Sequence, residues 1–344
     1  MAVLQTGLQY ARGIKMKSNV KTRIQKFSTF LILIVMVVIC SFLSPKFMTS
    51  TNLMNILKQV SIVTILSFAQ GMVIISGEID LSIGSLAGMA GTYACILYVA
   101  TGNLLLAVLF GLLLGAAVGA LNGLFVAHFG LPSFIVTLAM QTITFGSICL
   151  YTAGNNVYKI GDFKILGQGT VFGVIPITVV FMAVMCLITH ILLKYTKFGR
   201  YIYAIGGNKD AANAAGIQVR KTKWVTFIIS GVFAAIAGMI LMGRLNAGIP
   251  SEGTGYETDA IMATVVGGTS FAGGVGTAFG TLVGSLIIGI LNNIMNLLGV
   301  ESYSQQIIKG FLIIIAVLFD IRSKRGKRKM KIMETTSEIA QSSK

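Results

Sequence analysis

Charge is scarce in this sequence: aspartate, glutamate, lysine and arginine make up 11% of the 344 residues, about half the share in a soluble globular chain. Histidine occurs only twice, as His128 and His190, far apart and without an H-E-x-x-H arrangement. A zinc hydrolase site is therefore excluded, and no catalytic cluster built on imidazole is available. The four cysteines, Cys40, Cys95, Cys149 and Cys186, all fall inside apolar runs with no C-x-x-C spacing, which supports neither a disulfide framework nor a metal site. No glycine-rich loop ends in Gly-Lys-Ser/Thr. If ATP drives this protein, the ATPase is another polypeptide. No metal or other cofactor is implied, and an intramembrane enzyme would need a cluster that the chain does not contain.

What is present is apolar. Hydrophobic residues make up 55% of the chain and the mean hydropathy is +0.83, so the expected fold class is an all-α polytopic membrane protein. Apolar runs long enough to span about 30 Å of hydrocarbon occur near residues 27–44, 53–76, 82–100, 103–127, 132–152, 171–193, 224–243, 259–273, 276–298 and 303–320. The eighth is short and is broken by Gly267-Gly268 and Gly273-Gly274. Ten crossings return both termini to one side. The basic residues agree, because six of the 27 lie in 1–27, seven in 194–223 and eight in 322–344, and the positive-inside rule makes those three segments cytoplasmic. The expected organisation is a basic tail over 1–26, a membrane domain over 27–321 with a cytoplasmic loop at 194–223, and a second basic tail over 322–344. The net charge of +16 thus reads as topology and anionic-lipid contact, not as nucleic-acid binding. The first run has a basic leader but no small-residue cleavage site before Ser44-Pro45, so it reads as a retained helix.

The 40 glycines suit membrane helices that associate through small residues. Gly111, Gly115 and Gly119 form one ridge, and Gly276, Gly280 and Gly284 another. A weak internal correspondence links the halves. Leu121-Asn122 matches Leu291-Asn292 at an offset of 170, Gly130 and Ser133 match Gly299 and Ser302 at 169, and Glu78-Ile79-Asp80 compares with Glu257-Thr258-Asp259 at 179. It pairs the fourth crossing with the ninth, which run in opposite directions, as in an inverted-topology repeat.

Three segments could carry chemistry. In Gly77-Glu78-Ile79-Asp80-Leu81-Ser82-Ile83-Gly84-Ser85, two carboxylates stand between long apolar runs, where a bare charge is costly. Asp80 reads as an N-cap accepting amide hydrogens near Ser82 and Ile83. Glu78 has no such role and either faces a polar pathway or sits in a solvated turn. The second segment, 248–276, contains Glu257, Asp259 and many glycines, which serve either helix packing and a broken helix or ligand contact. The third, 198–217, is the one long loop, in which Asn208 or Asp210 is placed to cap a short alanine-rich helix stopping at Gly216. Such a helix is either a grip for a partner protein or part of a topology-setting basic loop. Asn122, Gln141, Asn292, Asn293 and Asn296 are polar groups within helices that cross-link helices or line a hydrated path.

At these segments the chain resembles the membrane permease subunit of bacterial ATP-binding-cassette sugar importers, the ribose, xylose and galactoside permease family. The resemblance covers about residues 45–322. It is carried by 77–85, similar to the family's Gly-Gly-Ile-Asp-Leu-Ser-Val-Gly-Ser, by Gly206-Gly207-Asn208 through Gly216-Ile217, and by Tyr256-Glu257-Thr258-Asp259-Ala260-Ile261 leading to Gly267-Gly268-Thr269-Ser270.

The resemblance implies that Gly199, Arg200, Gly207, Asn208, Asp210, Ala211, Ala212 and Gly216 belong to a coupling helix that docks on a cassette ATPase subunit. It implies two permease subunits, identical or closely related, an extracytoplasmic solute-binding protein and a sugar substrate, in the cytoplasmic (inner) membrane of a bacterium. Glu78, Asp80, Ser82, Asn122, Glu257, Asp259 and Asn292 are the candidate pathway residues. Glu78 replaces the second glycine of the usual motif, and Thr258 stands where leucine is common. Branched-chain amino-acid permeases share the architecture and form a close alternative. An ion-coupled secondary transporter using Glu78 or Asp80 is another.

Overall fold

In the computed structural model, residues 29–318 are described; the basic tails at 1–26 and 322–344 lie outside them. The elements are helices α1 (Thr29–Leu43), α2 (Ser50–Ile75), α3 (Ile83–Thr101), α4 (Leu104–Gly123), α5 (Ser133–Thr152), a short α6 (Ile165–Gln168), α7 (Ile177–Tyr195), α8 (Lys197–Gly207), α9 (Lys209–Ala214), α10 (Val219–Leu245), α11 (Tyr256–Val266) and α12 (Ala278–Leu297), with α13 (Ser302–Leu318) last. A π-helical turn, Leu124–His128, extends α4. A two-stranded antiparallel hairpin, β1 (Thr170–Val171) and β2 (Ile175–Pro176), precedes α7. Seven of these helices are long and apolar enough to cross a membrane, α1 and α13 being shorter.

The helix starts are fixed by short polar side chains whose oxygens accept otherwise unpaired amide hydrogens. Thr49 accepts from Asn52, Asn103 from Leu106, Thr196 from Gly199 and Thr277 from Gly280. Burial sorts the helices into layers. The spans of α2, α3, α10 and α12 are mostly covered by protein, whereas α4, α5 and α7 expose most of theirs, as helices facing lipid do. The principal core is built by α2, α3 and α10 around Leu66, Phe68, Met72, Leu86, Phe233 and Ile240.

Both predicted glycine ridges are contact lines. Gly115 lies against the Gly231 backbone of α10, and Gly284 lies against Ala263 and Gly267 at the end of α11. A Cβ at either glycine would strike a carbonyl oxygen, so only glycine permits these approaches. Some expected boundaries shift. The sixth run, expected over 171–193, opens with the β-hairpin, because Gly173 and Phe172 adopt positive φ (73° and 54°) in its turn. The seventh, expected at 224–243, starts earlier, at Val219, since the long stems of Arg220, Lys221 and Lys223 are compatible with helix.

Candidate functional site: two acidic helix starts and the α8–α9 crosspiece

The first acidic motif sits on a non-helical stretch that leads into α3, and the second opens α11 directly after another such stretch. After α2 ends, residues 76–82 run along α10: Glu78 pairs with Lys223, and Asp80 reaches Ser230. Ser230 lies eleven residues from Val219, the start of α10, which is about 16 Å at 1.5 Å per residue. Helix α3 therefore begins beside the middle of α10 and not at its end. On the opposite course, residues 246–255 run beside α3, with Gly248 against Thr92 and Cys95, Glu252 against Gly88, and Gly253 against Gly84. Gly253 and Gly255 have φ of 97° and 91°, and α11 then begins at Tyr256. The glycines of 248–276 thus serve packing and a broken crossing, as one of their two readings had it.

Asp80 accepts hydrogen bonds from the Ser82 amide (3.0 Å), the Ser82 hydroxyl (2.6 Å) and the Ser230 hydroxyl (3.1 Å). The N-cap of α3 is Ser82 rather than Asp80. The expected cap is thus corrected: the carboxylate closes a turn two residues ahead of the helix and braces Ser82 instead of occupying the cap position itself. Asn122 of α4 donates to the Ser82 hydroxyl at 2.9 Å, so Asp80, Ser82 and Asn122 form one buried cluster. Glu78 is not in a solvated turn. It is ion-paired with the buried Lys223, and its neighbour Ile79 is fastened to α5 through the Ser133 hydroxyl at 3.2 Å.

The second motif is arranged alike. Glu257 accepts from the Gly255 amide (3.0 Å) and from Gln141 of α5 (3.2 Å), and it packs against Gly84. Here the carboxylate in the first turn of α11 reaches back to the cap residue, where the helix dipole favours negative charge. Asp259 accepts from Asn292 of α12 at 2.9 Å and pairs with Lys309 of α13 at 2.9 Å. Among the described residues, the buried side-chain oxygens of Asn122 and Asn292 have no hydrogen-bond partner. Each acid thus has an asparagine within its own cluster, directly for Asp259 and through Ser82 for Asp80. Two clusters separate the pathway candidates, and a third contact joins them: Glu257 against Gly84, two residues from Ser82.

The expected short helix after 208 is present as α9. Asn208 is its cap, accepting from the Asp210 and Ala211 amides at 3.0 Å each, and Gly216 follows with φ 81°. Asp210 and Ala211 are exposed, while Ala212 is buried against Ile205 and Val219. Gly199 and Arg200 lie on α8, which was expected to be loop. Gly199 packs against the carbonyls of Leu192 and Leu193, and Gly207, at the helix end, has open space around it.

Near the end of α8, Gly206 is pressed onto the Ile75 carbonyl at the end of α2 and onto the Gly274 amide. The Gly274 amide itself donates to the Ile75 carbonyl at 2.9 Å, and the Tyr203 hydroxyl donates to the Gly276 carbonyl at 2.7 Å. The α8–α9 crosspiece is therefore joined to the base of both acidic segments. Burial pushes the Tyr203 phenol up from its ordinary value of 10.0, which keeps the donor protonated.

Lys223, Ser230, Lys309 and Tyr203 carry essential contacts that sequence reasoning missed. Lys223 was legible only as part of a topology signal, Lys309 stood alone outside the basic clusters, and the hydroxyls had no signal at all. Among the described residues, no group of three or more His, Cys, Asp or Glu side chains is placed to hold a metal ion.

A family model described as branched-chain amino acid transport system / permease component matches residues 52–317. The ribose import permease protein of Escherichia coli (strain K12) is 43% identical over 305 residues, spanning 87% of this chain and 95% of its own. The ribose import permease protein of Bacillus subtilis (strain 168) is 41% identical over 299 residues, spanning 86% and 92%. The xylose transport system permease protein of Haemophilus influenzae is 36% identical, with 89% and 99% covered. No solved structure matches.

Proposed function

Because the chain belongs to the family of branched-chain amino acid transport system permease components, we propose that it is the permease subunit of an ATP-driven sugar importer. The observation that carries this is the similarity, over nearly the whole length of each protein, to permeases named for ribose and xylose. In this reading it forms the translocation path in the cytoplasmic (inner) membrane of a bacterium, with a second permease subunit, identical or closely related. Cassette ATPase subunits bind on the inner side. A solute-binding protein delivers sugar from outside.

The seven long spans, the shorter α1 and α13, and the crossing made jointly by 246–255 and α11 bring the count to ten, with both termini on the inside. The matched Asp80 and Asn122 and Asp259 and Asn292 clusters support an inverted repeat. Gly199, Arg200, Gly207, Asn208, Asp210, Ala211, Ala212 and Gly216 form the surface that meets the ATPase. Closure of the ATPase pair displaces α8 and α9 as a rigid unit, and the Gly206 contact passes that motion to Ile75 and Gly274. Asp80, Ser82, Asn122, Glu257, Asp259 and Asn292 then lie where the moving segments meet, and Glu78 ties the first of them to α10.

Purification in mild detergent, beside an Asp210→Ala/Gly216→Ala variant, tests the assignment by mass spectrometry of the co-purifying chains. A cassette ATPase held by the wild type and lost from the folded variant is the expected outcome. Retention of the ATPase by the variant, with normal transport, would sink the coupling assignment. The description of the matching family favours a second reading, in which the solute is a branched-chain amino acid; competing uptake of labelled pentose and leucine separates the two.

A further inference from the structure

A cleft of about 880 Å³ lies between the end of α4, the start of α5 and the segment from α9 to the start of α10. Its lining is divided by chemistry. Lys209, Arg220, Lys221 and Lys223 stand on one side against Glu78 and Asp210. Glu78 is already engaged with Lys223, which leaves three cations facing one carboxylate. Among the described residues no ion pair includes Lys209, Arg220 or Lys221. Phe129, Leu131 and Pro132, between α4 and α5, add apolar surface to the lining, with Phe129 66% exposed and Leu131 47% exposed.

The depth of the cleft is set by α10. The cations of its first turns end at Lys223, and the apolar run begins at Trp224, whose ring meets His128 edge-on. Arg220 is four residues from Trp224, about 6 Å along the helix. The unpaired cations therefore lie at the level of phospholipid headgroups, with the apolar surface in the same lining. Clustered lysine and arginine at that level attract anionic lipid. A purely acidic protein surface would use the cations and leave Phe129 and Leu131 uncovered.

We propose that this cleft is a binding site for an anionic phospholipid, its phosphodiester held by Arg220, Lys221 and Lys209 and its acyl chains lying against Phe129 and Leu131. The site adjoins α9, so the lipid touches the same crosspiece that carries Asp210. The inference rests on the chain being a membrane protein and is independent of which solute it carries.

Native mass spectrometry of the intact complex tests it, after delipidation and titration with phosphatidylglycerol or phosphatidylcholine of matched chains. The wild type is expected to retain phosphatidylglycerol preferentially, and Arg220→Gln/Lys221→Gln to weaken the tightest site roughly 30-fold. A Lys194→Gln/Lys197→Gln variant, which removes two cations outside the cleft, is expected to retain it. If the double cleft variant does not elute as a folded species, Phe129→Ser supplies the measurement, with phosphatidylglycerol weakened while the cations remain. Equal retention of both lipids by wild type, or unchanged phosphatidylglycerol in the cleft variants, overturns the proposal. Displacement of the lipid by millimolar inorganic phosphate would make the ligand a free anion and overturn the lipid assignment. Loss of a protein subunit from the cleft variant with lipid retention intact would give the cleft to an acidic protein face, with the same result.

Discussion

Asp259 illustrates what a buried acid needs. Its carboxylate is stabilised by Lys309 and Asn292, and neither partner is adjacent in sequence. Removing one member of such a pair leaves the other desolvated and alone, which costs more than removing both. Lys309→Met and Asp259→Asn are each expected to lower stability by about 2 kcal/mol, and the double variant by less than the sum, as read from thermal unfolding in detergent. Exact additivity would mean that the pair is not coupled. Glu78 and Lys223 predict a charge-swap rescue: Glu78→Lys alone impairs folding or transport, and adding Lys223→Glu restores part of it. At this scale the sequence is legible for the acids themselves. Their isolation among apolar runs marks Glu78, Asp80, Glu257 and Asp259, and the internal correspondence marks Asn122 and Asn292. Lys223 was hidden because its basic neighbours Arg220 and Lys221 made it read as topology. Lys309 was hidden because a lone lysine in a terminal span points to no particular partner.

Helices α8 and α9 differ in how openly the sequence encodes them. Asn208 followed by an alanine-rich stretch and Gly216 spells out a cap, a helix and a stop, and α9 obeys it. Helix α8 carries Gly199, Gly206 and Gly207, which read as breakers, yet the first two are there because α7, α2 and the 270–276 segment press against them. A close-packed glycine and a loop glycine are the same letter until the neighbour is known. Asn208→Ala is expected to cost about 1 kcal/mol in the cap, seen as faster amide exchange over 209–214 with α10 unaffected. Gly206→Ala should separate the crosspiece from Ile75 and Gly274: the ATPase still binds, but uptake falls, and unchanged uptake would show that this contact does not transmit motion. Tyr203 gives a pH signature. Because its phenol is raised above 10.0, the folded state holds that proton more tightly, so stability is flat below that value and declines as pH rises past it. Tyr203→Phe should flatten the decline.

Across the whole molecule, the apolar runs that form the seven long helices were readable because lipid demands long apolar helices, and the layers were not, because lipid-facing and protein-facing spans are equally apolar. The start of α3 beside the middle of α10 also escaped the sequence: Asp80 reads as a cap, and only its bond to Ser230 shows which part of α10 it meets. If nucleotide drives the cycle, collapsing the ion gradients in vesicles with internal ATP should leave uptake unchanged. Loss of uptake with ATP intact would instead assign Glu78 and Asp80 to an ion-coupled mechanism. Two partly buried ion pairs among the described residues carry one more consequence. A lone charge crossing the whole membrane field exchanges about 2.3 kcal/mol per 100 mV, but Glu78 with Lys223, and Asp259 with Lys309, each sum to no net charge. Their displacement moves no net charge, so the voltage across the membrane gains no leverage on them, and a cell that loses its potential keeps these joints in the same balance.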